Sequence, residues 1–199
     1  FVVSAIIFLV FVPFFLLEGK RKSTFLIIAS VASLLFLFII TQANSASERI
    51  ITDFESDLSE CQHTGDFLES RKMRWELAWT LVQQSPRIGY GTGSEKSILK
   101  DAYFKNKFYS SYLAELNSHN QYLCFLLNTG IIGLLLYLFV ICHGIITALK
   151  NKDFLLLSFL AIVVFVSVSE NILSVTKGVL FYAFFYSILL LNIVNKNIY

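Results

Sequence analysis

The sequence predicts an all-α fold: a polytopic membrane helical bundle of about five spans, interrupted by one large, partly helical extracytoplasmic loop. Three observations carry this. Of the 199 residues, 56% are hydrophobic and 15% charged, at a mean hydropathy of +0.67, whereas soluble domains are about 45–50% apolar and about 25% charged. The apolar residues gather into long blocks, the pattern of spanning helices rather than of half-buried elements. Between the blocks lies one long polar region, 44–121, with 11 acidic and 9 basic residues.

Residues 1–17 are apolar throughout, with Pro13 inside the run. The chain starts at Phe1 within that run, so a first helix short of its N-terminal part is expected. The basic turn Lys20-Arg21-Lys22 joins it to a second span, 24–41, making residues 1–43 a hairpin. In the polar region, 45–60 reads as an acidic, capped entry, and 66–84 reads as an amphipathic helix. Leu68, Trp75, Trp79 and Val82 recur there at helical spacing, with Arg71 on the side of Trp75. Ser85-Pro86 ends that helix, the glycine-rich turn 87–93 follows, and 96–116 is mixed and aromatic. Residues 122–199 hold three further spans, 122–149, 154–168 and 179–194. The first of these would be roughly 42 Å long against a hydrocarbon core of about 30 Å, so it tilts, breaks near Asn128-Thr129-Gly130, or projects from the bilayer. Gly130 and Gly133 mark places for close backbone approach. With five spans, Lys20, Arg21, Lys22, Lys150, Lys152 and Lys196 fall on one side and Lys177 on the other. The positive-inside rule then puts the polar region outside, facing the periplasm or exterior.

The net charge of +2 gives no reason to expect nucleic acid. Cys61, Cys124 and Cys142 show neither CxxC nor metal spacing, and a Cys61–Cys124 bridge is not expected. His63 and His143 have no partner at ligand spacing. The histidine that matters is His119, at the junction of polar and apolar sequence. Ser118 and Gln121 form an S-x-x-Q capping box, which would place His119 in the first turn of a helix. The helix N-terminus would welcome a diphosphate and disfavour imidazolium, leaving a neutral base. The alternative is a polar collar residue at headgroup level. Arg71, Lys72, Arg74 and Arg87 suit phosphate oxygens, or else form a solvated face or meet anionic lipid. The turn 87–93 lacks the Gly-Lys-Ser/Thr ending of a nucleotide loop. Glu170, near a span end, is a functional candidate at that depth, or an interface residue reaching for water.

Several ordered elements together resemble one family. They are Arg71-x-x-x-Trp75, Ala78-Trp79, Ser85-Pro86-x-x-Gly89-Tyr90-Gly91-x-Gly93, His119-Asn120-Gln121-Tyr122-Leu123 and Gly130-Ile131-Ile132-Gly133-Leu134, with Ser169-Glu170-Asn171 near a later span end. The set is similar to the O-antigen ligase and O-antigen polymerase superfamily. The resemblance implies a GT-C-like helical glycosyltransferase of the bacterial inner membrane that works without a metal or other cofactor and inverts the anomeric centre. It implies an undecaprenyl-diphosphate-linked glycan as donor and a glycan or lipid A-core hydroxyl as acceptor. It further implies contact with membrane lipids and with a chain-length regulator or other polysaccharide-assembly proteins. By position, His119 matches the family's proposed base and Arg71 its diphosphate-binding arginine. Arg87, Arg74, Asn120, Glu170, Trp75 and Tyr90 are then substrate-binding candidates. A transporter would place polar groups along the span centres, whereas here those centres are Phe, Leu, Ile and Val and the polar groups collect at the outer ends. A non-catalytic scaffold would tolerate the loss of His119.

Overall fold

The computed structural model describes residues 69–198 and five positions between 24 and 31; all five of those are helical. The expectations for 1–17 and 45–60, for most of 24–41 and for Cys61 lie outside the described residues. The described residues are all-helical, without strands.

Helix α1, Arg71–Gln84, starts where the Ser70 hydroxyl accepts from the Met73 N–H at 3.3 Å, a serine N-cap. It stops before Pro86, whose ring disfavours helical geometry at Ser85. The helix ends at Gln84 as expected from 66–84 but begins only at Arg71, after the non-helical Glu69 and Ser70, and except at Val82 its buried stripe is turned by one residue. Arg74, Ala78 and Val82 are buried, whereas Trp79 is half exposed. The tryptophans drew the sequence reading toward the wrong face, because the small Ala78 lets a neighbouring helix come closer. Helix α2, Glu95–Lys105, and the short α3, Tyr109–Leu113, occupy the stretch read as mixed and aromatic. The Glu69 carboxylate accepts from the Ser110 and Ser111 N–H groups and from the Ser111 hydroxyl, which ties the start of α1 to the start of α3.

Helix α4 runs from Gln121 to Lys150 but is broken at Gly130 (φ 65°, ψ −160°). That backbone region is open essentially to glycine alone. Of the alternatives for an over-long span, the break is what occurs. The twenty residues from Ile131 to Lys150 are about 30 Å long, a match to one hydrocarbon core. The turn 85–93 repairs the broken ladder. The Tyr90 and Gly91 N–H groups donate to the Leu127 and Asn128 carbonyls at 2.8 and 2.9 Å, and the Ile131 N–H donates to the Pro86 carbonyl at 2.9 Å. The approach is tight from both sides. A Cβ on Gly89 would lie 2.6 Å from the Leu127 carbonyl oxygen, and one on Gly130 would collide with the Arg87 carbonyl. At Gly133, by contrast, the nearest atoms a Cβ would meet belong to the Thr129 side chain of the same helix.

Helix α5, Phe154–Ser169, is capped by Asp153, whose carboxylate accepts from the Leu156 N–H at 2.9 Å. After Glu170 and Asn171 comes a 3-10 turn, Ile172–Ser174, and then α6, Thr176–Ile198. Two apolar cores result. One joins α1, α2 and the first part of α4 through Ala78, Val82, Leu99, Tyr103 and Leu127. The other joins α4 to α5 and α6 through Tyr137, Ile141, Ala148, Leu156, Leu160, Val163 and Ile193, with Tyr122 and Phe125 from the first part of α4 packed against it. Gly144 is the close-packing glycine of this second core, facing Leu160 and Tyr186. Rows of exposed Leu, Ile, Val and Phe cover the outside of α4 beyond Gly130, α5 and α6. Helix α4 and the Thr176–Ile193 part of α6 are long and apolar enough to cross a membrane; α5, with 16 residues, is shorter.

Candidate active site

The turn ahead of α4 departs from the predicted capping box. The helix cap is Asn120, not Ser118: the Asn120 carboxamide oxygen accepts from the Tyr122 and Leu123 N–H groups at 3.0 and 3.1 Å. Asparagine competes well with serine for this position. Gln121 does not reach back to the cap. Its side-chain oxygen accepts from the Leu173 N–H at 2.7 Å, which holds the 3-10 turn against the helix start. His119 therefore precedes the helix rather than lying in its first turn. The N–H groups expected to cradle a diphosphate there are taken by Asn120, whose side chain is committed to the cap.

His119 adopts left-handed backbone geometry, φ 46°, a region in which histidine is enriched among non-glycine residues. An Asx-type bond stabilises it: the Asn117 side-chain oxygen accepts from the His119 N–H at 3.0 Å. The result aims the imidazole at Glu170, with Nδ1 3.1 Å from the carboxylate. Because a carboxylate only accepts, Nδ1 is the donor in this contact, and in the neutral imidazole Nε2 is then the acceptor. Both side chains are partly exposed. Fifty-one positions apart in sequence, His119 and Glu170 form the arrangement of an oriented base open to an incoming group.

Trp75 joins α1 to this turn, its Nε1–H donating to the Ser118 carbonyl at 2.7 Å. Arg71 stands one helical turn before Trp75, on the same face and partly buried. The structure thus brings Trp75, His119, Asn120 and Glu170 together, with Arg71 one turn from Trp75 on α1. It separates the other three candidates. Arg74, read as outward-facing from sequence, is 5% exposed and lies in the α1–α2 core. Its cation bears on the Tyr103 phenol. Arg87 is exposed on the turn that clamps Gly130. Tyr90 bends back onto α1, its hydroxyl donating to the Leu81 carbonyl at 2.9 Å and meeting the Gln84 side-chain oxygen at 3.2 Å.

One residue missed in the sequence is central to the geometry. Glu95 opens α2 yet is 4% exposed. Its Oε1 accepts from the Ser118 N–H at 3.0 Å and the Ser118 hydroxyl at 2.5 Å, and both its oxygens face the Asn171 Nδ2 at 3.0 Å. Its own N–H donates to the Asn128 side chain at 3.0 Å. An acid in a helix's first turn is ordinary dipole compensation, so position alone gives no sign of burial. Beside Glu95 opens a cleft of about 380 Å³ lined by Thr92, Lys96, Asn117, Gln121, Asn128 and Ser174 among others. Cys124 also borders it as a buried free thiol, 3.1 Å from the Ser174 hydroxyl.

No curated protein and no solved structure matches the chain. A family model described as O-antigen ligase matches residues 1–138, which takes in the Arg71, Trp75, Glu95 and His119 parts of the site and stops short of Glu170. Such proteins are membrane proteins of glycosyl-transfer chemistry, and by that match, over more than half its length, the chain belongs to the O-antigen ligase family.

Proposed function

We propose that this protein is a multi-pass glycosyltransferase of the inner membrane that moves a glycan from an undecaprenyl-diphosphate carrier to an acceptor hydroxyl on the periplasmic or outer side. The observation that carries the proposal is the His119–Glu170 pair, 3.1 Å apart, at the end of α1 that bears Arg71. In this reading His119 Nε2 takes the proton of the acceptor hydroxyl as its oxygen bonds to the anomeric carbon. The bond from that carbon to the diphosphate oxygen breaks, and the electron pair leaves with the diphosphate. Direct displacement inverts the centre. Glu170 keeps Nε2 turned outward and balances the imidazolium that forms. Arg71 stabilises the departing diphosphate, as fixed charges do in a site that needs no metal. With the α4 N-terminus capped by Asn120, the anion rests on arginine rather than on the helix dipole. Trp75, anchored through its N–H, offers a ring face on which a sugar can stack.

Among acceptors, the growing glycan of an O-antigen, capsule or exopolysaccharide is the first reading, since polymerases of such polymers are the more numerous. Transfer to lipid A-core is the second, favoured by the family's description as O-antigen ligase. The experiment is His119→Ala in the native gene, with surface polysaccharide resolved on a gel. Loss of polymer with normal protein level is expected. Single-repeat product then identifies a polymerase, and carrier-linked polymer that never reaches lipid A identifies a ligase. An unchanged ladder would remove His119 from the chemistry.

A further inference from the structure

We propose that Glu95 is the positioning residue of the His119–Glu170 pair, holding both partners through their sequence neighbours. This rests on the reading of His119 as base. The two reactive side chains come from segments with no backbone hydrogen bond between them among the described residues. Besides the Gln121–Leu173 bond farther along each segment, a buried carboxylate bridges them at the residues next to the pair. Glu95 binds Ser118, the residue before His119, through its N–H and hydroxyl. The same carboxylate binds Asn171, the residue after Glu170, through the carboxamide nitrogen. Ser118, Asn171 and Glu95 are all at least nine-tenths buried, so water does not compete for these bonds. The base of the bracket is fixed as well, because the Glu95 N–H is held by Asn128 on α4.

Removing a buried acceptor leaves its donors unsatisfied, and each segment is then free to shift. A displacement of about 1 Å in a reacting group can cost about 10²-fold in rate. Glu95 does not touch the reacting atoms, so its loss acts on turnover and not on donor binding by Arg71.

Asn171 supplies a specific test. Its side-chain oxygen is buried without a partner among the described residues. Asn171→Asp sets two buried carboxylates face to face and breaks the bracket. Adding Glu95→Gln restores one donor and one acceptor with the roles reversed, the new carboxamide donating to the new carboxylate while its oxygen still receives Ser118. The assay uses the purified full-length protein with the lipid-linked glycan extracted from cells that lack the gene, alongside Glu95→Ala and His119→Ala. The expected result is a fall in kcat of about 10²-fold for Asn171→Asp and Glu95→Ala, donor KM staying within about twofold, and recovery of most of the kcat in the Glu95→Gln/Asn171→Asp pair. Full activity in Glu95→Ala, or a pair no better than Asn171→Asp alone while both fold, overturns the proposal. Should Glu95→Ala fail to fold, the single and paired Asn171 variants still decide. His119→Ala separates the two levels: if it stays active, the base assignment falls and the bracket loses its object, whereas an inactive His119→Ala with an indifferent Glu95 removes this inference alone.

Discussion

His119 is oriented from two directions: the Asn117 side chain fixes its backbone at φ 46° and Glu170 holds its ring. Each role predicts a different loss. Glu170→Gln keeps the size but offers the ring a group that both donates and accepts, so the tautomer is no longer fixed. Turnover should fall by about 10²-fold or more with donor KM unchanged, measured on the purified protein; a variant with full turnover would reduce Glu170 to a surface residue. Arg71→Lys keeps the charge but loses the planar fork. A several-fold rise in donor KM is expected, and unchanged kinetics would argue against bidentate contact with the diphosphate. Tyr103 makes a prediction about stability. Burial pushes its phenol up from 10.0 to about 12, against the pull of the Arg74 cation. A raised folded value means that the stabilisation is complete below pH 10 and is lost as pH rises toward 12. Tyr103→Phe should flatten alkaline unfolding in that window, followed by circular dichroism; an unaltered alkaline transition would show that Tyr103 does not report on it. His119, Arg71 and Glu170 were readable in the sequence only as candidates, chiefly through the ordered elements that resemble the family, and the structure adds that His119 and Glu170 lie 3.1 Å apart. Glu95 was not readable, since burial of a first-turn acid depends on Ser118 and Asn171, which lie 23 and 76 positions away.

Among the elements, α4 carries the most information. From sequence it was a span too long for one bilayer; its break is set by Gly130 and by the turn that supplies Tyr90, Gly91 and Pro86 as hydrogen-bond partners. Irregular backbone near membrane depth is tolerated where protein satisfies it, and here the clamp does so. The glycine-rich turn therefore serves the helix rather than a phosphate. Gly130→Ala should cost about 1–3 kcal/mol in backbone strain alone, with a further cost from collision with the Arg87 carbonyl. The measurement is thermal unfolding of the detergent-solubilised protein, and an unshifted midpoint would mean that the break is not fixed by this glycine. The existence of α1, α4, α5 and α6 could be read from hydropathy and periodicity. The rotation of α1 could not, because the pattern weighs Trp79 as core, while packing places Ala78 there and leaves Trp79 half exposed.

At the scale of the molecule, the first part of α4 serves two cores, one shared with α1 and α2 through Leu123, Leu126 and Leu127 and one shared with α5 and α6, against which Tyr122 and Phe125 pack. The candidate residues come from three elements: His119 from the turn that opens α4, Arg71 from α1 and Glu170 from the end of α5. The polar region and a late span end, distant in sequence, thus meet at His119 and Glu170. Under the proposed function, polar groups at the helix ends with apolar span centres suit transfer at the membrane surface. The most direct test of this account is the rate at which purified full-length His119→Ala transfers glycan from the extracted lipid-linked donor. Loss of a general base predicts a fall of about 10²–10⁴-fold with donor KM within about twofold of the unmodified protein. Transfer at the unmodified rate would contradict the assignment of His119 as the base.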